Sequence, residues 1–505
     1  MGAAVTEPRV GPRAASVLRP GTPDAPVHWG PLVIRAHCGP GVGAGHVMRL
    51  VALVERWTRT GDAVTVVGPT PGTTLGDRVE AAGAAVVATV GDAGSVDDVG
   101  QVLTFSSAGA AAWVVLDGAP FGPAFQDAVA SSGARVLVVD DHGRHGRYRA
   151  DLVLDQNPGG TEPYRDRGPA RLLRGPAYAL LREEVSRLTP RPVSGPARVV
   201  LVTLGGDPIP RVRSLGDEIA ARISGARPDL EVDGPVAALH TTPTWADRLA
   251  RADVVVSAAG STVWELCHLG LPSVLIGVAD DQVPVGEAVD AAGAAEWLGP
   301  LDEDVAARAA DRALALAADT ELRKKRSTAA RSLADGRGAE RVLAELRAPL
   351  LRLRPARAAD AELLWVWAND PVTRASSFDR EPIPWPEHQR WLDGRVTDRS
   401  SPLLVAEGPG GAPVGIVRFD ASDEGPEIGV TVAPEARGCG VAAPLILAGC
   451  LWIAARGAAT VHAYIRPDNE RSVAAFRAAG FDGDDRTLRK GVAAYHLQWS
   501  ADRVR

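Results

Sequence analysis

The alternation of apolar runs and amphipathic stretches constrains the fold of this chain more than any other feature of its sequence. From residue 31 onwards, short continuous apolar runs alternate with helical stretches such as His46–Arg59. Continuous apolar strands between amphipathic helices are typical of a parallel sheet covered on both faces, so we expect an α/β unit here. The predicted strands are Leu32–Ala36, Ala63–Gly68, Ala84–Val90, Trp113–Asp117, Arg135–Asp141 and Leu152–Asp155.

The same pattern starts again after the proline-rich break Thr189–Pro196. It predicts a second α/β lobe, closed by a helix near Arg337–Arg347, and two such lobes in tandem imply a cleft between them. The predicted strands of the second lobe are Arg198–Leu204, Glu231–Gly234, Asp253–Ala258 and Ser273–Val278.

A different pattern begins at Leu351, where strands alternate with a glycine-rich turn, Gly408 to Gly411, and with helices. It predicts a separate α+β domain with a mixed sheet. In chain order the elements are strand Leu351–Pro355, helices Asp360–Trp367 and Pro386–Arg395, strands Leu403–Glu407, Pro413–Asp420 and Glu427–Val432, helix Val441–Arg456, strand Thr460–Ile465 and helix Asn469–Ala479.

These patterns divide the 505 residues into units of ordinary domain size. We expect a disordered arm at 1–30, rich in Pro, Gly and Ala without periodicity. Two Rossmann-like lobes are expected at 31–190 and 191–346, and the α+β domain at 350–500.

Charge and cysteine usage exclude several classes of function. The formal net charge of -7 argues against a nucleic-acid partner, whereas backbone N–H groups bind phosphates without net positive charge. The four cysteines fit neither a zinc knuckle nor a CxxC pair, and no metal cluster is visible. No apolar run approaches the roughly 20 residues that span a bilayer. We therefore expect a cytoplasmic chain with reduced thiols and no membrane partner.

A glycine-rich turn, Arg437-Gly438-Cys439-Gly440-Val441-Ala442, lies between a predicted strand and a predicted helix. Small residues let the backbone approach a pyrophosphate, and the helix offers its N-terminal N–H groups. Further along, Asn469 and Ser472 precede Phe476 and the pair Gly480-Phe481. Together these segments resemble the GNAT N-acetyltransferase superfamily over about residues 351–499. The resemblance implies that acetyl-CoA is bound by Arg437, Gly438, Gly440, Val441, Ala442, Asn469 and Ser472.

The resemblance also implies an acid–base pair for acetyl transfer to an amine. Glu427, on the strand before the turn, is the candidate base, and a surface role is equally open. Many relatives have a tyrosine acid where this chain has Phe476. Either another group, such as Tyr464 or Tyr495, protonates the thiolate here, or the reaction needs no acid. The stretch Glu387–Trp391 resembles the acceptor-side helix of amino-sugar-acetylating members, and a plain packing helix fits it equally well.

A glycine-rich turn also follows the first strand, where Gly39–Gly45 leads into His46. A His after such a turn is either a catalytic base or a structural residue. A series of later segments follows in a characteristic order. Over residues 31–345 this series resembles the UDP-sugar hydrolase of the pseudaminic-acid pathway (PseG-like, GT-B fold). They also resemble, more distantly, the glycosyltransferases of that two-lobed fold. These segments are Val139–Asp141, Leu154–Asn157, Arg174–Arg182, Thr203–Pro208, Ser257–Glu265, Gly270–Pro272 and Asp280–Gln282.

The resemblance assigns His46 as the base that activates water. Gly260, Ser261 and Thr262 would hold the UDP phosphates at a helix N-terminus. Glu265 would accept hydrogen bonds from the ribose, with a helix-surface carboxylate as the alternative. The full set implied to bind the UDP-sugar is Gly43, Gly45, Arg49, Gly206, Asp207, Gly260, Ser261, Thr262, Glu265, Asp281 and Gln282.

The chain departs from that family at two positions, because His37 stands at the family's Asp and Gly39 at its Ser. Hydrolysis is then slow, altered in specificity or lost. The combined prediction is a bifunctional enzyme that N-acetylates a UDP-linked 4-amino sugar and then releases UDP. Two alternatives stay open: a glycosyltransferase fused to an acetyltransferase, or a non-catalytic UDP-sugar-binding module that serves a live acetyltransferase.

Overall fold

The structure is a computed structural model, and it describes residues 27–39, 42–107, 112–159, 161–205, 210–234 and 244–504. Two predicted binding residues, Gly206 and Asp207, lie outside the described residues, as does 1–26 of the predicted arm.

The first lobe contains a sheet with strand order β3-β2-β1-β4-β5-β6-β7, in which every neighbouring pair is parallel. The prediction of a parallel sheet is confirmed. Its strands are β1 (Leu32–Ala36), β2 (Val64–Gly68), β3 (Ala85–Ala88), β4 (Trp113–Asp117), β5 (Arg135–Val139), β6 (Leu152–Asp155) and β7 (Arg171–Arg174). Its helices are α1 (Gly45–Trp57), α2 (Thr74–Ala81), α3 (Val96–Ser107), α4 (Pro123–Ser131) and α5 (Glu183–Ser186).

The central strands β1 and β4 decide where functional groups meet in this lobe. Both are fully buried, as their apolar sequences predict, and they pair from Leu32 opposite Trp113 to Ala36 opposite Asp117. The carboxyl end of β4 therefore lies beside the loop that leads from β1 into α1, which is where ligands bind in open α/β sheets.

The second lobe contains a smaller parallel sheet with strand order β12-β11-β10-β8-β9. Its strands are β8 (Val199–Thr203), β9 (Glu231–Asp233), β10 (Val254–Ala258), β11 (Ser273–Gly277) and β12 (Ala295–Pro300). The helices that follow in this part of the chain are α6 (Pro210–Ala226), α7 (Trp245–Arg251), α8 (Thr262–Leu269), α9 (Val283–Ala291), α10 (Val305–Ala318), α11 (Thr320–Leu333) and α12 (Gly338–Arg347).

The third unit is a mixed sheet with strand order β13-β14-β15-β16-β17-β19-β18. Its strands are β13 (Arg352–Pro355), β14 (Leu403–Glu407), β15 (Pro413–Asp420), β16 (Glu427–Val432), β17 (Thr460–Ile465), β18 (Asp482–Arg489) and β19 (Val492–Ser500). Its helices are α13 (Ala361–Asn369), α14 (Pro371–Ser376), α15 (Trp385–Thr397), α16 (Ala442–Ala454) and α17 (Glu470–Ala478).

Two strands of the third unit diverge, and this opens the middle of its sheet. The neighbours β16 and β17 are parallel, and within these two fully described strands the paired positions are Glu427 and His462 alone. The carboxyl end of β16 therefore separates from β17 just before the glycine-rich turn at Arg437–Ala442. A gap of this kind can admit an extended ligand between two strands.

The packing of α12 differs from the prediction that this helix closes the second lobe. It contacts α1 of the first lobe and α16 and α17 of the third unit, and its buried Val342 and Leu346 share one core with Trp113 and Ile446. The apolar face of α12 was readable from the sequence, but its partners were not. The helix therefore joins the first lobe to the third unit.

The end of the predicted disordered arm is also packed into this core. Trp29 is 1% exposed, and the backbone N–H groups of Trp29 and Gly30 donate to the Asp62 carboxylate at 3.0 and 3.1 Å. The indole N–H of Trp57 donates to the carbonyl of Gly30 at 2.9 Å. Residues 27–30 are thus part of the folded structure, and the boundary predicted at residue 30 is wrong for them.

Two further expectations concern cysteines and membranes. All four cysteines are free, and Cys267 and Cys450 are buried. Among the described helices, none has the length and apolar character that a membrane crossing requires.

A buried ion pair generates a stability prediction for the first lobe. Arg35 is 1% exposed and donates to both carboxylate oxygens of Asp98 at 2.7 and 3.1 Å. Asp98→Ala leaves that guanidinium buried without its carboxylate, so we expect the free energy of unfolding to fall by about 3–5 kcal/mol. Urea unfolding followed by tryptophan fluorescence measures the change. Asp97→Ala, at the exposed neighbour, is the control; an equally small effect of both substitutions would contradict the prediction.

Candidate functional site

The N-terminal end of α1 carries a cluster of charged groups against the end of β4. Nδ1 of His46 lies 2.7 Å from Oδ1 of Asp117. Arg49, one turn further along α1, donates to both oxygens of Asp117 at 2.7 Å from Nε and from Nη2. The spacing of three residues puts His46 and Arg49 on the same face of the helix. The structure thus brings together two predicted site residues around a carboxylate that the sequence analysis did not single out.

The chemistry of Asp117 fits a role in orienting His46. Burial raises the pKa of this fully buried carboxyl, but Arg49 and then His46 outweigh burial and leave the pKa at about 2. Asp117 is therefore ionised at neutral pH and accepts a hydrogen bond from Nδ1–H of His46. That bond fixes the tautomer and leaves Nε2 of the ring as a proton acceptor. The His46 side chain is 25% exposed, so Nε2 can meet a ligand.

A second layer of hydrogen bonds holds the cluster. Arg49 also donates to Asp141 at 2.8 Å, and Asp141 accepts from the Asn157 side chain at 2.7 Å. Asp155 in turn accepts from the hydroxyl of Tyr164 at 2.7 Å. Asp117, Asp141 and Asp155 come from the ends of β4, β5 and β6, which lie in order in the sheet. The result is a hydrogen-bonded polar rim along one edge of the first lobe.

The second lobe faces this rim with its own glycine-rich turn. A Cβ built on Gly45 would lie only 4.0 Å from Oγ of Ser261, the residue before α8. Nε2 of His142 contacts the backbone carbonyl of Asp281 at 3.1 Å, and Gln282 lies beside Gly260. Predicted residues of both lobes therefore meet across one cleft. Thr262 opens α8, and Gly43 is exposed in the turn before α1.

Glu265 is arranged differently from the prediction. It is 7% exposed, and its oxygens accept from Nη2 of Arg182 at 2.9 Å and from the indole N–H of Trp245 at 2.8 Å. A carboxylate held this way is turned into the protein, and it is not the free surface acceptor that a ribose hydroxyl requires. Its observed contacts tie α8 to α7 and to the segment before α5.

The two departures from the hydrolase pattern also have a place in the structure. His37 follows β1, and its ring centroid lies 6.4 Å from that of His46. Burial, followed by the electrostatic effects of the neighbouring His46 and Arg35, lowers the pKa of His37. His37 is therefore neutral at neutral pH, where an aspartate would be an anion. Gly39 is exposed and has a φ of +147°.

The glycine-rich turn of the third unit joins a short 3₁₀ turn after β16 to α16. Gly438 and Gly440 both have a left-handed backbone, with φ of +80° and +68°. Val441 precedes the first residue of α16, Ala442. Arg437 makes an ion pair with Asp370 at 2.6 Å and donates to Thr373 at 2.9 Å. The turn therefore lies between a strand and a helix, as the sequence predicts, but its own arginine is ion-paired with a carboxylate.

Asn469 and Ser472 lie at the start of α17, and part of their role is local. The side-chain oxygen of Asn469 accepts from the backbone N–H of Ser472 at 3.2 Å and so caps the helix. Phe476 packs edge-on against Phe481, with ring centroids 4.9 Å apart, and it has no acidic group.

The face of the sheet opposite α16 carries the candidate acid and base residues. Because side chains alternate along a strand, the buried Val461 and Ala463 face the core and leave His462 and Tyr464 on the other face. Glu427 is opposite His462 and is ion-paired with Arg489. By the same alternation Tyr464, opposite His496, shares the Glu427 face, whereas Tyr495 does not. Of the two tyrosines considered as acids, Tyr464 is the better placed.

Two histidines lie beside Glu427 on this face. Nε2 of His462 donates to the backbone carbonyl of Glu424 at 2.9 Å, so its Nδ1 accepts from Nε2 of His496 at 2.9 Å. Their ligand atoms and a carboxylate oxygen of Glu424 lie within 4.8 Å of one another, which is the one grouping in the described residues that could hold a metal ion. Nδ1 of His462 and Nε2 of His496 are already hydrogen-bonded to each other, so both nitrogens have partners without a metal ion.

The helix suggested as the acceptor side, Glu387–Trp391, lies within α15. His388 is 2% exposed, and its Nε2 hydrogen-bonds the carbonyl of Ala361 at 2.9 Å. Its ring stacks on that of Trp385, with centroids 5.9 Å apart. These contacts show that the face of α15 that carries His388 packs against the rest of the domain.

Comparison with known proteins identifies the third unit. The family model of the GNAT acetyltransferase domain matches residues 351–482. This segment is a GNAT acetyltransferase domain. The match leaves the first two lobes outside it, and no curated protein sequence matches the chain.

Three of the solved structures that are similar to this chain match about 30% of it. The aminoglycoside acetyltransferase AAC(6')-Ib in complex with coenzyme A is 18% identical, over 30% of this chain and 96% of that one, with a TM-score of 0.28. Spermidine N-acetyltransferase from Vibrio cholerae with CoA and spermine is 16% identical, over 31% and 98%, with a TM-score of 0.29. A domain from Methanocaldococcus jannaschii is 21% identical, over 30% and 97%, with a TM-score of 0.27.

The two left-handed glycines of the turn give a matched prediction. Alanine at either position adds strain of about 1–2 kcal/mol, because a Cβ crowds the carbonyl in this conformation. At Gly438 the added Cβ meets nothing within 4 Å, whereas at Gly440 it would lie 2.3 Å from Nη1 of Arg347. We expect Gly440→Ala to lower the thermal midpoint by several degrees and clearly more than Gly438→Ala. Differential scanning calorimetry measures both, and equal shifts would contradict the contact with Arg347.

Proposed function

We propose that this chain is a bifunctional enzyme of amino-sugar metabolism. In this proposal the GNAT domain transfers acetyl from acetyl-CoA to the 4-amine of a UDP-linked amino sugar. We further propose that the first two lobes form a GT-B enzyme, which then hydrolyses the UDP-diacetamido sugar to free sugar and UDP. The observation that carries the hydrolase half is the His46–Asp117 pair at the mouth of a cleft whose other wall is the turn before α8.

Hydrolysis follows from the groups that line this cleft. Nε2 of His46 removes a proton from water, and the water oxygen attacks the anomeric carbon of the sugar. The bond from that carbon to the phosphate oxygen breaks, and its electron pair leaves with UDP. Asp117, ionised because its pKa is about 2, stabilises the imidazolium that forms. His46 then releases the proton to solvent.

The leaving phosphate would be met by the second lobe. Gly260 and Ser261 form the turn before α8, and Thr262 is the first residue of that helix. Backbone N–H groups at a helix N-terminus and hydroxyl donors stabilise the negative charge that develops on a phosphate. Ser261 lies close to Gly45, so phosphate and attacking water would be held within one site.

Acetyl transfer uses the gap between β16 and β17. Glu427 takes a proton from the amine, whose nitrogen attacks the carbonyl carbon of the thioester. The carbon–sulfur bond breaks, and coenzyme A leaves as a thiolate that takes a proton from Tyr464 or from water. Glu427 is ion-paired with Arg489, and this contact holds its carboxylate on the face of the sheet beside the gap. Backbone N–H groups of residues 438–442 would bind the pyrophosphate.

The two reactions fit one substrate in sequence. N-acetylation of a 4-amino sugar that already carries one N-acetyl group gives the diacetamido sugar, and this product is the substrate of the hydrolysis. Both active sites in one chain would then act on the same UDP-linked intermediate. This link supports the choice of an amino sugar as the acetyl acceptor.

Release of UDP tests the hydrolase half. With UDP-2,4-diacetamido-2,4,6-trideoxy-β-L-altropyranose and no other acceptor, we expect UDP release that falls by about 10²–10⁴-fold in His46→Ala. Asp117→Asn should also lower the rate strongly, because the ring loses the carboxylate that fixes its tautomer. A coupled assay for UDP measures the rates. His28→Ala, at a side chain 58% exposed and outside the cleft, is the control.

Two outcomes would reject this half of the proposal. UDP binding by calorimetry without any release would indicate a module that only binds the nucleotide sugar. Release that depends on an added sugar or lipid acceptor would indicate a glycosyltransferase.

Coenzyme A release tests the acetyltransferase half. With acetyl-CoA and a UDP-4-amino-4,6-dideoxy-N-acetyl sugar, we expect Glu427→Gln to lower kcat by about 10²–10⁴-fold and to leave the KM for acetyl-CoA nearly unchanged. Thiol release monitored with a chromogenic disulfide measures both parameters. Glu435→Gln, at an exposed residue before the glycine-rich turn, is the matched control. Unchanged kcat in Glu427→Gln would remove Glu427 as the base.

A further inference from the structure

Arg347, the last residue of α12, lies outside the GNAT match, which starts at residue 351. It is 4% exposed, and its guanidinium carbon lies over two indole rings, 5.1 Å from the centroid of Trp29 and 5.0 Å from that of Trp57. Nη2 donates to the carbonyl of Arg56 at 3.3 Å, and Nε is buried without a hydrogen-bond partner. The side chain is thus almost wholly buried and only partly satisfied.

The charge of Arg347 has no direct counterion. In the described part of the chain, no carboxylate oxygen lies within 4.0 Å of its guanidinium, although most other buried arginines of the first lobe have such a partner. Burial lowers the pKa of Arg347 to about 10, with Asp62 acting in the opposite direction. The group is therefore still a cation at neutral pH. An uncompensated buried charge is destabilising, and an arriving anion can offset that penalty.

The guanidinium lies directly behind the glycine-rich turn. A Cβ on Gly440 would be 2.3 Å from its Nη1, so only glycine leaves room for this approach. The indole N–H of Trp29 donates to the carbonyl of Cys439 at 3.0 Å and ties the same turn to the first lobe. Because Asp370 neutralises Arg437 within the turn, Arg347 brings an uncompensated positive charge to it.

We propose that Arg347 completes the pyrophosphate site of the GNAT domain from outside that domain. The inference rests on the proposed acetyl-CoA-dependent function. The buried cation raises the affinity for the two negative phosphates bound on the turn, across a short path of low dielectric. Trp29 and Trp57 keep the guanidinium in position through their cation–π contacts with it. The first lobe therefore contributes to coenzyme A binding, and the isolated GNAT segment would lack part of its site.

The test compares an acetyl donor that carries the pyrophosphate with one that lacks it. Acetyl-CoA joins its pantetheine through the pyrophosphate to 3'-phosphoadenosine, whereas S-acetylpantetheine has the same thioester and none of these groups. In the full chain, we expect Arg347→Met to lower kcat/KM for acetyl-CoA by about tenfold and to leave kcat/KM for S-acetylpantetheine unchanged. Arg347→Lys, which keeps the charge, should retain most of the affinity. Raised salt should weaken acetyl-CoA binding less in Arg347→Met than in the wild type.

Controls separate this role from a purely structural one. Arg341→Met removes an arginine of the same helix that is paired with Asp335 at 2.6 Å, and it should not change the ratio between the two donors. An equal loss with both donors in Arg347→Met, or no loss with either, would overturn the proposal. Calorimetry measures the affinities for coenzyme A and for pantetheine, and so makes the same comparison without turnover. If the wild type binds coenzyme A but transfers no acetyl group, the proposed function fails and the Arg347 inference is still tested.

Discussion

The apolar face of α12 holds the first lobe and the GNAT domain against each other. Val342 and Leu346 on this helix are fully buried in a core that also contains Trp57 and Trp113 of the first lobe and Ile446 of the GNAT domain. The indole N–H of Trp113 donates to the carbonyl of Leu346 at 2.6 Å, at the point where α12 ends. Burial of apolar surface is the largest favourable contribution to folding, so the relative position of these units is set by packing. Residues on either side of the glycine-rich turn depend on that packing for their positions.

Buried charge is handled in two different ways in this molecule. At the cleft, Arg49 meets two carboxylates and His46 is held by one of them, so each charged group has a partner that fixes its position. Behind the GNAT turn, the Arg347 guanidinium lies over two indole rings and makes no direct ion pair with a described carboxylate. The first arrangement suits a proton acceptor, which needs a defined orientation. The second leaves a cation without a direct carboxylate partner, which suits a binding site for an anion.

Much of the fold was readable from the sequence, because continuous apolar strands and amphipathic helices leave clear patterns. The hairpin of β18 and β19 was missed: β18 has the sequence DGDDRTLR, with little apolar alternation, and it is stabilised by pairing with β19. Asp117 was missed for another reason. It ends an apolar strand, and its importance depends on β4 lying next to β1, an order that local patterns do not encode. Arg347 and the partners of α12 likewise depend on contacts between residues far apart in the chain.

The core around α12 also means that the limits of a recognisable domain and the limits of a folding unit differ here. A fragment cut at residue 351 would keep the matched segment but lose Trp29, Trp57 and α12, and it would expose the apolar surface of α16 that they cover. Exposed apolar surface of this kind promotes aggregation. Exchange of the acetyltransferase between chains by recombination would therefore succeed at a junction upstream of α12 and only together with a compatible first lobe. The two halves are constrained to diverge as a pair, since each has become part of the other's interior.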